Sequence, residues 1–110
     1  FYQMKMFRRE ILMLIQDKIV KAAITFLEAR GVENFDLVKC NSRSAIITAV
    51  EEKHPIVVEV HWKNGMLFDE EIIPPQKQTQ EIAKKINGQI KKIDVLIMSK
   101  DDAFLRYSTV

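Results

Sequence analysis

Hydrophobic positions fall into two rhythms along the chain. Between residues 6 and 30, Phe7, Ile11, Leu14, Ile15, Ile19, Ala22, Ala23, Phe26 and Leu27 recur at helical spacing. They form one wide apolar stripe and predict a long amphipathic helix. Arg8, Arg9, Glu10, Gln16, Asp17, Lys18 and Lys21 occupy its other faces, and Gly31 suits the left-handed position that closes it. From residue 35 the rhythm changes. Phe35–Cys40 alternates weakly and reads as a strand, Asn41-Ser42-Arg43 carries turn chemistry, and Ser44–Val50 is a second, largely apolar strand. Glu51–Pro55 turns the chain into residues 54–73, which read as two strands around Asn64-Gly65. Pro74-Pro75 then ends strand pairing, because proline cannot donate to a ladder but fits a helix's first turn. Residues 76–90 predict a second helix with Ile82, Ala83, Ile86 and Ile90 inward, and Gly88 is a place where it can end. Ile93–Met98 is the continuous apolar run expected of a strand covered on both faces. Ser99–Asp102 breaks that run, and residues 103–109 predict a short edge strand.

Asn64-Gly65 carries most of the detailed expectation. A type I′ turn needs positive φ at both central residues, and Asn-Gly supplies them. The implied register sets Lys63 against Met66, Trp62 against Leu67, His61 against Phe68, Val60 against Asp69 and Glu59 against Glu70. Alternation then places Ile56, Val58, Val60, Trp62 and Leu67 on a core face. Val57, Glu59, His61 and Lys63, with Phe68, Glu70 and Ile72, take the other face. Two carboxylates directly opposed repel by up to about 1 kcal/mol. The Glu59–Glu70 pair therefore calls for a cation, either His61 or Lys63 or a bound metal.

The resulting fold class is α/β in the α+β sense. Its order is αβββ(β)αβ, with two helices on a mainly antiparallel or mixed sheet and residues 1–110 as one domain. A composition of 47% hydrophobic and 29% charged residues is that of a globular chain. The formal charge of +2 is too small to imply nucleic acid by itself. A single cysteine, Cys40, excludes an internal disulfide and any zinc set built on several cysteines. No apolar run reaches the roughly 18 residues a bilayer span needs, so neither a membrane partner nor a location other than the cytoplasm is expected.

Phe26-Leu27-Glu28-Ala29-Arg30-Gly31 at the end of the first helix resembles the Phe-Leu-x-x-x-Gly stretch of Holliday-junction-resolvase-like, restriction-endonuclease-like nucleases. Ser44–Val50 followed by Ile56-Val57-Val58-Glu59-Val60-His61 is similar to that family's paired motif strands, and helix, three strands, helix, strand is its core order. The resemblance covers about residues 20–98. It implies a Mg²⁺-dependent phosphodiester chemistry in which clustered acidic oxygens hold the metal. Here Glu59 matches the motif. Ala45, with Ser44 beside it, stands where the metal-binding aspartate belongs, and His61 stands at the catalytic lysine, with Lys63 two residues on. What the resemblance implies is a degenerate, inactive site.

The candidate residues follow from these patterns. Glu59, His61 and Lys63 are the candidates for catalysis, and Glu59, His61 and Glu70 for a divalent metal, since imidazole with two carboxylates suits Zn²⁺ or Mn²⁺. The plainer reading makes this hairpin face solvated, with His61 and Lys63 balancing acid. Lys77, Lys84, Lys85, Lys91 and Lys92 concentrate positive charge on the second helix and its exit. They are candidates to track phosphates, or else a solvated helix face. Residues 4–14 extend the first helix with Met4, Met6 and Phe7, a surface for a second copy or a protein partner. The expected function is a small nucleic-acid-associated binding module without catalysis and without a required cofactor. The alternatives are a protein-interaction or dimerisation domain, or a metal-dependent nuclease.

Overall fold

Alternating strands from the middle and end of the chain build one five-stranded sheet, in the order β1-β2-β3-β4-β5. The computed structural model describes residues 14–65, 67–68, 73–99 and 102–110. The elements are α1 (Leu14–Ala29), β1 (Val32–Cys40), β2 (Ser44–Glu51), β3 (His54–Asn64), α2 (Lys77–Ile86), β4 (Gln89–Ile97) and β5 (Ala103–Thr109). β1, β2 and β3 form an antiparallel meander, and β4 and β5 an antiparallel pair. The two groups join where β3 and β4 run parallel, with α2 as the crossover. The class expected from the sequence, two helices with a mixed and mainly antiparallel sheet, is the one observed.

The sheet is covered on both faces. On one, Ile19, Val20, Ala23 and Leu27 of α1 pack over Ala45, Ile47, Ala49, Ile56, Val58, Val60, Trp62, Ile93 and Val95. On the other, Ala83 and Ile82 of α2 close over Ile46, Val57 and Ile90. The β3 face assigned to the core is therefore correct for Ile56, Val58, Val60 and Trp62. The Trp62 indole also donates to the Ser42 carbonyl at 3.1 Å, tying the β1–β2 turn to the central strand. Gly31 closes the turn that follows α1, and its φ of 89° is the left-handed conformation expected there. No helix among the described residues is long and apolar enough to cross a membrane.

The hairpin at Asn64-Gly65 does not form. Neither residue has positive φ, and β3 is already paired with β2 over residues 54–61 and with β4 over 56–64. Leu67 and Phe68 are not in a strand, and Leu67, expected in the core, is 80% exposed. Met66 and residues 69–72 lie outside the described residues. The two-residue turn sits instead at Glu52-Lys53, where φ is 51° and 69°, as type I′ geometry demands. A turn preference is worth on the order of 1 kcal/mol, whereas burying the apolar side chains of β4 against β3 is worth several times that. The parallel pairing therefore decides the partner of β3. Glu59 consequently opposes Ile46 and Lys92 rather than Glu70.

The second helix is also shorter than its apolar pattern. Asn87 adopts left-handed φ and ψ of 54° and 46°. The Gly88 N–H then bonds the Ala83 carbonyl and the Asn87 N–H that of Lys84, a Schellman ending. A Cβ on Gly88 would stand 2.8 Å from the Pro55 carbonyl oxygen, so the chain passes β3 too closely for a side chain. Ile90 thus belongs to β4 and not to the helix. The surface expected at residues 4–14 lies outside the described residues, except for the backbone of Leu14.

Candidate functional site

The C-terminal halves of the parallel strands β3 and β4 meet the N-terminus of α2, a position where open α/β sheets commonly place ligands. Register brings polar side chains into rows on this face. Ser44, His61, Asp94 and Arg106 form one row across β2, β3, β4 and β5. Ile46, Glu59, Lys92 and Ser108 form the next, and Lys63 stands one step beyond His61. Glu59, His61 and Lys63 thus share a face, as the alternation predicts.

That face is not a solvated one at Glu59, which is only 3% exposed beneath the start of α2. Both carboxylate oxygens are engaged. The His61 Nε2 stands 2.7 Å from Oε1, and the backbone N–H of Gln76 donates to Oε2 at 2.6 Å. Gln76 is the N-cap residue of α2, and its own side chain does not cap the helix. It donates instead to Ser44 Oγ at 3.3 Å. Glu59 therefore supplies from β3 the anion that a helix N-terminus attracts. Burial alone would raise its pKa. The His61 hydrogen bond, the adjacent Thr79 hydroxyl, the Gln76 amide and the charge of His61 outweigh burial and lower it below its ordinary value of 4.5. The fully buried Thr79 oxygen lies near enough to favour the ionised carboxylate, but it completes no hydrogen bond of sound geometry. It stands beside the carboxylate as a dipole rather than as a formed donor.

An ionised carboxylate only accepts, so the network assigns the shared proton to His61 Nε2. His61 keeps 31% of its side chain exposed at the surface of this network. Beside it, Asp94 is held by two cations, with Lys92 Nζ at 3.7 Å and Arg106 Nη2 at 3.2 Å. Arg106 also lies 4.5 Å from the centre of the Phe68 ring.

The position where the nuclease resemblance expects an aspartate is not gathered here. Ala45 points to the opposite face, 1% exposed in the core under α1, while Ser44 is the β2 residue on the side of Glu59. Among the described residues no group of three or more His, Cys, Asp or Glu side chains is placed to hold a metal. Glu70, the third member of the expected metal set, lies outside the described residues. The five lysines expected to act together are split. Lys77, Lys84 and Lys85 are exposed on α2, whereas Lys91 and Lys92 belong to β4, with side chains 12% and 15% exposed on opposite faces of the sheet. Strand alternation, which the helix reading of residues 76–90 concealed, separates them.

A second polar cluster has no counterpart in the sequence reading. At the far end of the sheet, a cleft of about 490 Å³ is lined by Arg30, Glu51, His54, Lys91, Tyr107 and Thr109 among others. The Tyr107 hydroxyl donates to Glu51 at 3.3 Å, and Lys91 Nζ donates to Thr109 Oγ1 at 2.9 Å and lies 3.6 Å from Glu51. Burial, the Glu51 charge and that hydrogen bond push the Tyr107 pKa up to about 12, against the opposing effect of Arg30. These groups satisfy one another and staple β2 to β4 and β5. No local signal announces the cluster, because Glu51 and Tyr107 meet only through register across the sheet.

Comparison with known proteins adds no relative: no family model, no curated protein and no solved structure matches this chain.

Proposed function

We propose that this domain is a nucleic-acid-associated binding module of nuclease-like descent that does not turn over substrate. The observation that carries the reading is the exposed face of α2. There Lys77, Lys84 and Lys85 stand free of ion pairs among the described residues, with Glu81 the only acid on the helix. Such a face neutralises backbone phosphates without reading bases. The absence of turnover is supported by Glu59, whose two oxygens are committed to His61 and to the α2 amide and are not free to hold a metal.

Fluorescence anisotropy with a labelled DNA or RNA oligonucleotide tests the binding. Affinity should fall steeply with salt, with a slope of roughly 0.7–0.9 per phosphate contacted. Lys84→Glu with Lys85→Glu should weaken binding to all sequences alike. No binding at about 50 mM salt, where such contacts are strong, would replace this reading with a protein-interaction domain. Strand cutting that requires Mg²⁺ or Mn²⁺ and disappears in Glu59→Ala would show a working nuclease instead.

A further inference from the structure

The two edges of the sheet are built differently. Along β1, the pairing with β2 shifts register between Glu33 and Asp36 and again between Leu37 and Lys39, and Asn34 has a φ of 60°. Irregularities of this kind, with Glu33, Asp36 and Lys39 beside them, are the usual means of blocking strand addition. β5 has none of these features. Its register with β4 runs unbroken from Ala103 to Thr109, and Arg106 is its one charged residue. Among the described residues no strand lies outside it. α1 packs on β1 and β3, and α2 on β3 and β4; among the described residues Phe26 and Arg30 reach the Tyr107 ring and Phe68 lies over Arg106, and no other side-chain contact from the helices reaches the outer edge of β5.

The Val110 N–H bonds the Ile90 carbonyl. By the alternation of an antiparallel ladder, the backbone groups of Phe104, Arg106 and Ser108 also turn toward β4, and those of Leu105, Tyr107 and Thr109 turn outward. We propose that β5 is a homodimer edge, where a second copy adds its own β5 antiparallel about a twofold axis at Tyr107 and one sheet continues through both copies. This proposal does not depend on the nucleic-acid reading.

Two exposed apolar side chains on one face of β5, Phe104 and Val110, come opposite each other across a twofold and so favour a second copy as the occupant. With the axis at Tyr107, the outward groups match: Tyr107 bonds Tyr107 of the second copy, and Leu105 bonds its Thr109. The same register sets Phe104, 61% exposed, against Val110, 54% exposed, and Arg106 against Ser108. Moving the axis to Arg106 would oppose two like charges. Moving it to Leu105 would set the apolar Phe104 against Arg106 instead of Val110. An interface made of one strand edge falls below the ~1,200–2,000 Å² typical of stable complexes, so the dimer should be weak and concentration-dependent.

Light scattering at low and high concentration tests for the dimer, and cysteine cross-linking tests its register. In a Cys40→Ser background, Phe104→Cys together with Val110→Cys places the two thiols on a non-hydrogen-bonded pair. Their Cα atoms would then lie about 4.5 Å apart, within disulfide reach. A covalent dimer should form on mild oxidation only when both cysteines are present. Thr109→Pro removes an outward N–H and should abolish the dimer while circular dichroism shows the fold retained, as an edge-strand proline allows. A monomer at every concentration would overturn the proposal. So would a dimer that persists in folded Thr109→Pro and forms no disulfide between positions 104 and 110; its contact would lie elsewhere, with residues 4–14 the next surface to test.

Discussion

Replacing Glu59 by alanine tests whether this residue is a helix anchor or a spare functional acid. The change leaves the part-buried Gln76 N–H without its acceptor, at a cost of about 1–3 kcal/mol. It removes the anion at the α2 N-terminus, worth about 0.3–1 kcal/mol. It also breaks a charge-assisted bond to His61, which is partly exposed and regains water, so that loss is put at about 1 kcal/mol. Against these stands the relief of desolvation, the largest single influence on the Glu59 pKa. The net expectation is a destabilisation of about 2 kcal/mol, a substantial part of the 5–15 kcal/mol typical of a domain. Glu59→Gln keeps a carbonyl for the Gln76 N–H but presents an amide N–H₂ to His61, forcing the other tautomer, and should cost about half as much. Urea unfolding followed by the fluorescence of Trp62, the only tryptophan and a buried one, measures all three proteins. The pH dependence is a second readout. A carboxylate whose folded pKa lies below its unfolded value favours folding when ionised. Its contribution is complete above about pH 4.5 and is lost as pH falls through the lower folded value. Glu59→Gln should lack that acid-side loss. An alanine variant as stable as the parent, or more stable, would refute the anchor reading and return Glu59 to the list of available ligands.

Two further outcomes follow from local geometry. In a Tyr2→Phe background, phenolate absorbance should report Tyr107 titrating near 12, and Glu51→Gln should bring it down toward its ordinary 10; because the neutral phenol is the favoured folded form, stability should hold below pH 10 and fall above it, and a midpoint of 10 in the parent would contradict the Glu51 contact. Replacing Glu52-Lys53 with Asn-Gly should stabilise the protein by about 1 kcal/mol, since both positions hold positive φ without glycine, and an unchanged urea midpoint would show that the turn carries no such strain.

Period-two alternation made the core face of β3 legible, because every second residue from Ile56 to Trp62 is apolar and the strand is long. The α1 stripe was legible for the same reason at helical spacing. The partner of β3 was not, since Asn64-Gly65 speaks only for itself, while the choice between a hairpin and a parallel neighbour depends on Ile93 and Val95 thirty residues away. The site was half visible. Glu59, His61 and Lys63 were found from their alternation, but the group that engages the second oxygen of Glu59 is a backbone amide, which no residue type encodes. Asp94 and Arg106 join His61 only through register across β3, β4 and β5. That Lys91 and Lys92 lie on opposite faces of a strand was not legible, because Ile82, Ala83, Ile86 and Ile90 fit a helix period even though the chain turns at Asn87-Gly88.

The parallel junction between β3 and β4 also has a consequence for synthesis. The β1–β3 meander can form from local contacts as soon as it leaves the ribosome, but the strand that covers the other side of β3 ends at Ile97. At about 5–20 residues per second, several seconds pass before β4 is available. During that interval the β3 edge from Ile56 to Asn64 presents unpaired backbone and the apolar residues Val57, Val58 and Val60 to whatever else is nearby. The nascent chain is therefore most vulnerable to aggregation and chaperone capture at a length that ends before β4, and a stalled product ending there should be retained by holdases while the full chain is not.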